Sequence, residues 1–186
     1  LMAAETLSLA GIQVDIYDAM PSVGRKFLLA GIGGLNITHS EPYNTFCSRY
    51  GDRQAQLQPI LDRLPPSALR SWASGLGIET FVGSSGRVFP SGMKAAPLLR
   101  AWLHRLRSSG VRIHVRHRWL GWNSDGGLRL NNTGGEISIK PEATILALGG
   151  ASWPKLGSDG AWVSLLEGVG VDVAPLQSAN CGFAVT

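Results

Sequence analysis

Three clusters of residues have the types and spacing that nucleotide binding needs. The first is the glycine pair Gly149-Gly150, which directly follows the continuous apolar run 143–148. Such a run predicts a strand buried on both faces of a parallel sheet, and ligands of open α/β sheets bind just outside the carboxyl ends of the strands. Glycine backbone can approach a flat or phosphorylated ligand because no Cβ intervenes. Taken alone, the motif slightly favours the alternative, a strand followed by an ordinary turn.

The second cluster is the acid Asp18 at the end of a predicted strand. Residues 1–10 have helical periodicity, Gly11 is a stop signal, and apolar residues alternate from Ile12 to Ile16. In dinucleotide-binding units an acid at this place binds the ribose, roughly 20 residues after a G-x-G-x-x-G phosphate loop. No such loop follows a strand in this sequence, so we expect the first strand and phosphate loop to lie upstream, at or before Leu1. The alternative for Asp18 is a solvated carboxylate at a strand end.

The third cluster combines glycines with a cationic pair. It consists of Gly24, Arg25, Lys26, Gly31, Gly33 and Gly34. Backbone amides and a counter-charge in this arrangement could cradle a diphosphate or a flavin ring. The alternative is a glycine-rich loop that carries surface charges.

Composition sets the class of protein. The chain has 186 residues, of which 44% are hydrophobic, 16% are charged and 24 are glycines, values typical of a globular α/β protein. No run approaches the ~18 apolar residues of a membrane span, and no signal peptide is visible. The two cysteines, Cys47 and Cys181, lie far apart without metal-ligand spacing, which favours free thiols in the cytoplasm over a zinc site.

The net charge of +4 is concentrated between residues 100 and 118. Nucleic-acid binding is one interpretation of this basic stretch. The periodicity favours another, because residues 98–106 form the apolar stripe of a helix whose basic residues fill the solvated face. Attraction of an anionic cofactor such as NADPH is a third interpretation.

The remaining patterns predict an interrupted Rossmann-like sheet with an antiparallel meander. The predicted elements are helices over 54–64, 67–75 and 159–168, a hairpin of 78–82 with 87–89, a strand over 111–115, and a meander of 119–122, 128–130 and 137–139. The fold class is therefore α/β, with a parallel sheet that is incomplete at the N-terminus. We expect residues 12–18 and 143–148 to be strands of one sheet.

With these residues in view, the chain resembles the two-dinucleotide-binding-domain flavoproteins. Within them it is most similar to the bacterial BaiN/YhiN-like NAD(P)/FAD-dependent oxidoreductases, some of which are labelled the aminoacetone oxidase family. The matching segments are Gly24-Arg-Lys26, Ala30-Gly-Ile-Gly-Gly-Leu-Asn-Ile-Thr-His-Ser-Glu-Pro42, Phe81-Val-Gly-Ser-Ser-Gly-Arg-Val-Phe-Pro90, Met93-Lys-Ala-Ala-Pro97, Ala147-Leu-Gly-Gly-Ala-Ser-Trp-Pro154 and Gly157-Ser-Asp-Gly160. The more widespread family form has Ser-Gly-Gly-Gly-Arg-Cys-Asn where this chain has residues 30–36, so no role of that Arg or Cys transfers to it.

The resemblance implies FAD as the cofactor and NAD(P)H as a possible reductant. It also implies an upstream phosphate loop, an inserted second domain and a C-terminal segment, all outside residues 1–186. The resemblance also implies a role for each candidate residue. Asp18 would bind the ribose, Gly24, Arg25 and Lys26 would lie along the cofactor, and Gly31, Gly33, Gly34 and Asn36 would approach the flavin. Arg118 or Trp119 would offer backbone to the adenine, Gly149 and Gly150 would pass close to the diphosphate or ribityl chain, and Asp159 and Gly160 would start a helix whose N-terminal amides face an anion.

Two functions follow from these patterns. The first is an FAD-dependent oxidoreductase that moves electrons between NAD(P)H and a small organic substrate, the flavin supplying the reactivity. The alternative is a non-catalytic flavin or nucleotide binder, associated with RNA through the basic stretch. The sequence specifies neither the substrate, the catalytic residues nor the oligomeric state.

Overall fold

The computed structural model describes residues 1–177, and the chain divides into two units. The first unit comprises Leu1–Val14 and Gly24–Val111, and the second comprises Asp15–Val23 and residues 112–177. In chain order the elements are α1 (Met2–Leu9), β1 (Asp15–Asp18), α2 (Arg25–Ala30), β2 (Thr38–His39), α3 (Tyr43–Ser48), a 3-10 turn (Gly51–Arg53), α4 (Gln54–Arg63), α5 (Pro66–Gly75), β3 (Thr80–Val82), β4 (Arg87–Pro90), α6 (Ala95–Ser108), β5 (Arg112–Val115), β6 (Arg118–Trp122), β7 (Leu128–Asn132), β8 (Gly135–Ile139), a second 3-10 turn (Pro154–Leu156) and α7 (Trp162–Glu167).

The helices of the first unit end where the sequence places glycine. After α1, Gly11 adopts a φ of +78°, and the Ile12 amide donates to the Leu7 carbonyl at 3.0 Å. After α6, Gly110 has a φ of +81°, and the Val111 amide donates to the Leu106 carbonyl at 3.0 Å. Both ends form the closing bond of a Schellman motif, which needs a left-handed residue that glycine adopts without strain.

Helix α6 supplies much of the core of the first unit. Leu98, Leu99 and Leu106 are almost completely buried. Leu98 belongs to a buried cluster with Leu35 and Ala73. This confirms the predicted apolar stripe. Strands β2, β4 and β3 form an antiparallel sheet in that order, and the predicted β3–β4 hairpin is confirmed.

The second unit contains two small sheets. Strands β1 and β5 pair in parallel with Asp15 opposite Arg112 and Asp18 opposite Val115. Strands β6, β7 and β8 form the predicted antiparallel meander, with Leu128 and Leu130 of β7 buried. A parallel pair and an antiparallel meander within a mixed α/β chain confirm the predicted fold class.

The predicted buried strand at 143–148 is wrong. These residues adopt no strand in the structure, and Ile145 and Leu146 are 62% and 39% exposed. A strand buried on both faces lies inside a parallel sheet, with hydrogen-bonded strands beside it. Among the described strands, the parallel strands β1 and β5 pair only with each other, so residues 143–148 have no parallel sheet to join. Residues 12–18 and 143–148 are therefore not strands of one sheet in this structure.

Three further boundaries differ from the sequence prediction. Strand β1 begins at Asp15, so Ile12 and Val14 precede it. The segment from Gly24 to Gly34 is largely the helix α2 rather than a loop. Helix α7 begins at Trp162, three residues later than predicted, so Asp159 and Gly160 precede the helix.

Candidate functional site

Asp18 lies at the carboxyl end of β1 in the second unit. Its Oδ1 accepts a hydrogen bond of 2.8 Å from the Met20 amide, which closes a turn directly after the strand. Its carbonyl accepts from the His117 amide at 2.9 Å. The acid therefore stands at the edge of a parallel pair where ligands of α/β sheets bind, as the sequence predicts.

The glycine pair follows the exposed run rather than a strand, and it lies beside a buried hydroxyl. Gly149 has a φ of +73°, and a Cβ placed on it would lie 3.3 Å from the Ser158 Oγ. A Cβ on Gly150 would meet nothing within 4 Å. Ser158 is 6% exposed, and its Oγ has no hydrogen-bond partner within residues 1–177. Because a buried hydroxyl without a partner is costly, this group is suited to a polar ligand.

Arg118 and Asp159, both predicted from the resemblance, contact each other. The Arg118 guanidinium donates to Asp159 Oδ2 at 3.1 Å, and Asp159 Oδ1 accepts from the Ala161 amide at 3.2 Å. The backbone hydrogen bond is the largest cause that lowers the pKa of Asp159, and the Arg118 bond adds to it. Asp159 and Gly160 precede α7, and the Asp159 carboxylate already binds the Ala161 amide. Their contact with an anion stays a prediction.

Trp119 presents a second buried polar atom without a partner. Its ring meets Trp122 edge to face, with centroids 4.8 Å apart. The indole Nε1 is buried, and residues 1–177 provide it with no acceptor. The Trp119 side chain thus offers an N–H donor to a ligand, whereas the resemblance implies that its backbone contacts the adenine.

In the first unit, two of the predicted glycines are explained by helix packing. Gly24 precedes α2 with a φ of +73°, and a Cβ on it would lie 2.7 Å from Leu99. A Cβ on Gly31 would lie 2.5 Å from the Cβ of Ala95. Helix α2 can pack this closely on α6 because neither residue has a side chain.

The cationic pair occupies the first turn of α2. Lys26 is exposed, whereas the Arg25 Nε is buried and has no partner in the described part of the chain. A buried guanidinium N–H without an acceptor is a good donor for an anion.

The other predicted residues of this unit follow α2. Gly33 is exposed, and a Cβ on it would meet nothing within 4 Å, whereas Gly34 adopts a φ of +133° beside Met93. Asn36 donates from Nδ2 to the Thr38 carbonyl at 3.2 Å. It also lines a cleft of about 400 Å³ whose other walls come from α3, α4 and α5.

Sequence reasoning missed the aromatic residues of this cleft. Phe46 and Tyr50 meet edge to face, with centroids 6.0 Å apart. Their spacing of four residues is the signal that could have revealed helix α3, because residues four apart are neighbours on a helix. The helix is short and starts after Pro42, so the segment resembles an irregular loop in sequence.

Each unit by itself offers groups that suit a nucleotide ligand. The second unit has an acid at a strand end, open backbone at Gly150 and buried polar atoms without described partners on Trp119 and Ser158. The first unit has open backbone at Gly33 and the buried Arg25 Nε. Within residues 1–177, no group of three His, Cys, Asp or Glu side chains could hold a metal ion. None of the described helices is long and apolar enough to cross a membrane. Cys181 lies outside the described residues.

A family model described as the HI0933-like protein Rossmann domain matches residues 1–182. The chain belongs to this family. The match confirms the resemblance to FAD-binding Rossmann oxidoreductases that the glycine motifs predict, and with it the Rossmann-like fold class. FAD is the cofactor that membership of this family implies.

One curated relative is a 3-dehydro-bile acid delta(4,6)-reductase of Clostridium scindens, 26% identical over 172 residues. The match covers 90% of this chain and 40% of that protein, so the chain spans less than half the length of its relative. Among solved structures, THI4 of Thermovibrio ammonificans matches with a TM-score of 0.53 at 14% identity, covering 91% of this chain and 58% of that one. At this identity the similarity shows a shared fold.

Proposed function

We propose that the full-length protein is an FAD-dependent oxidoreductase that transfers electrons between NAD(P)H and a small organic substrate. The observation that carries the proposal is the match to an FAD-binding Rossmann family over residues 1–182, together with an acid at the end of β1. The curated relative is named a reductase, which agrees with this reaction class.

The second unit supplies the contacts that we propose for the adenosine and ribityl parts of FAD. Asp18 accepts hydrogen bonds from ribose hydroxyls while it keeps its own bond from the Met20 amide. Gly149 and Gly150 let the backbone lie against the chain of the cofactor, and the buried Ser158 hydroxyl provides a polar partner there. Arg118 and Trp119 lie next to each other at the start of β6, where we propose that they border the adenine.

Within the first unit, considered by itself, we propose contacts with a phosphate and with the flavin. Arg25 offers a buried N–H and Lys26 an exposed charge to a phosphate. Gly24 and Gly31 act indirectly, because they allow α2 to pack on α6 and so hold Arg25 in place. On the proposed flavin side, Gly33 presents open backbone and Asn36 an amide, and Gly34 lies between them against Met93.

FAD held by these residues would supply the hydride-transfer chemistry of the reaction. The chain's own residues would then bind and orient the cofactor, and no side chain is required as a nucleophile. Within the basic stretch, Arg105, Arg112 and Arg118 are each bound to a carboxylate, which removes these three charges from any RNA-binding surface.

The test is anaerobic reduction of the full-length, FAD-loaded protein by NADH and by NADPH, followed through the bleaching of the flavin absorbance. We expect one of the two to reduce the flavin on the timescale of turnover. A protein that holds FAD but is reduced by neither would contradict the oxidoreductase proposal and leave a non-catalytic flavin binder.

A further inference from the structure

A cleft in the first unit has the size and lining of a small-molecule site. Its volume is about 400 Å³, and β2 forms one wall while α3, α4 and α5 form the others. Pockets that bind small molecules are commonly about 300–1,000 Å³, mostly apolar, with a few polar groups that fix orientation. All of its lining residues belong to the same unit.

The lining is mostly apolar and carries no acidic or basic side chain other than one histidine. Phe46, Leu61, Leu64 and Leu69 provide much of the apolar surface. Two charged residues near the cleft do not line it and have partners of their own: Arg49 donates to Glu41 at 2.8 Å, and Asp62 accepts from the Tyr43 hydroxyl at 2.6 Å. A charged ligand would therefore lose its hydration here without gaining a counter-charge.

His39 lies in the wall of the cleft. Its Nε2 lies 3.0 Å from the Ser85 carbonyl, and its Nδ1 accepts from the Glu41 amide at 3.1 Å and lies 3.5 Å from Glu41 Oε1. Because both ring nitrogens already contact the chain, neither is free to bind a ligand.

Tyr50 provides an aromatic surface and a polar handle. It is 39% exposed, and it meets Phe46 at an interplanar angle of 73°. Two rings in this arrangement contact a flat ligand by stacking and by an edge. The Tyr50 side chain also carries a hydroxyl, which can donate to a carbonyl or hydroxyl oxygen.

We infer that this cleft binds a neutral, ring-containing small molecule that carries a carbonyl or hydroxyl group, with that oxygen on Tyr50. Asn36, which we propose contacts the flavin, also lines this cleft. A molecule bound in the cleft would therefore belong to the substrate class of the proposed oxidoreductase. This substrate role rests on the proposed function, whereas the binding itself is inferred from the lining residues alone.

The test compares two flat probes of similar size, neutral β-naphthol and anionic β-naphthoate, by equilibrium dialysis against the full-length protein at neutral pH. Leu64 lines the cleft and is 43% exposed, so Leu64→Lys places a cation there without disturbing the core. Ile60→Lys is the matched control, because Ile60 lies four residues earlier on α4, is 64% exposed and does not line the cleft. Tyr50→Phe removes only the hydroxyl, and thermal unfolding shows that each variant is folded.

We expect wild type to bind β-naphthol at least about tenfold more tightly than β-naphthoate, and Tyr50→Phe to weaken β-naphthol about three- to tenfold. Leu64→Lys should reverse the preference between the probes, whereas Ile60→Lys should leave it unchanged. Equal binding of both probes, no binding of β-naphthol, or identical effects of the two lysine variants would overturn the inference.

The flavin absorbance of the same samples separates this inference from the proposed function. A protein that holds and reduces its FAD but fails to bind β-naphthol would overturn the cleft alone. A protein that binds β-naphthol as expected but takes up no FAD would overturn the oxidoreductase proposal and the substrate role, while the binding site would stand.

Discussion

The carboxylate of Glu5 accepts a hydrogen bond of 2.6 Å from the indole N–H of Trp102. The same carboxylate accepts from the Trp72 indole at 3.0 Å and from the Arg105 guanidinium at 2.8 Å. Glu5 is only 5% exposed. One buried acid of α1 thus connects α5 and α6, and its desolvation is compensated by three donors.

Removing this acid should destabilise the first unit. We expect Glu5→Ala to lower the free energy of unfolding by about 3–5 kcal/mol, because it leaves buried donors without an acceptor. Glu5→Gln keeps one acceptor oxygen and should cost about 1–3 kcal/mol. Urea unfolding followed by tryptophan fluorescence measures both. Glu79→Gln, the same change at an exposed residue of this unit, is the control, and equal effects at the two positions would show that the network contributes nothing.

Replacing Asp18 should weaken FAD binding by the full-length protein. Asp18→Asn keeps the oxygen that accepts from the Met20 amide, so the turn after β1 survives while the charge is lost. Loss of a charge-assisted bond to a ribose hydroxyl should cost about 1.5–3 kcal/mol in FAD affinity. Titration of FAD into the stripped protein measures this, with exposed Asp52→Asn as the control. An unchanged dissociation constant would make Asp18 a solvated strand end.

A methyl group on Gly150 should interfere with the cofactor but not with folding. A Cβ at this position meets no protein atom within 4 Å, so only a bound ligand could clash with it. Gly150→Ala should raise the dissociation constant for FAD and leave the melting temperature unchanged. Gly92→Ala is the matched control, because its Cβ also meets nothing. If the two variants bind FAD equally well, the cofactor does not pass close to Gly150.

A side chain on Gly31, unlike one on Gly150, should lower the stability of the fold. The space that its Cβ would need is occupied by Ala95, 2.5 Å away. Gly31→Val should separate α2 from α6 and destabilise the first unit by about 1–3 kcal/mol. Gly33→Val, two residues away in open space, should not. Chemical denaturation of the two variants side by side decides whether Gly31 is required for packing.

The ion pair of the parallel sheet should make stability depend on acid pH. A hydrogen bond from Arg112, followed by one from His114, lowers the pKa of Asp15 below its ordinary value. A group with a depressed folded-state pKa contributes stability above its unfolded pKa and loses it as pH falls through the folded value. Between about pH 5 and 2, wild type should therefore lose more stability than Asp15→Asn. Parallel pH profiles of thermal unfolding would contradict this.

Local signals in the sequence predicted much of the fold. Helix α6 follows from its apolar stripe, the β3–β4 hairpin from its flanking glycines, and the meander from alternation around Asp125-Gly-Gly127. The exposure of residues 143–148 was not predictable in this way. An apolar run indicates that burial would stabilise the segment, but it does not indicate whether neighbouring strands are present to bury it.

The candidate site was predictable only where its residues form a local sequence pattern. Asp18 could be placed because a strand and its terminal acid form one local pattern. The roles of Gly24 and Gly31 required the structure, since their contacts with Leu99 and Ala95 are distant in sequence. The Arg118–Asp159 pair joins residues 41 positions apart, a separation at which one sequence gives no pairing signal.

The absorption spectrum of the full-length protein, purified without added cofactor and then denatured to release its ligand, tests the central claim most directly. We predict flavin bands in the native protein and the release of FAD in an equimolar amount. A colourless protein that also fails to take up added FAD would contradict the account.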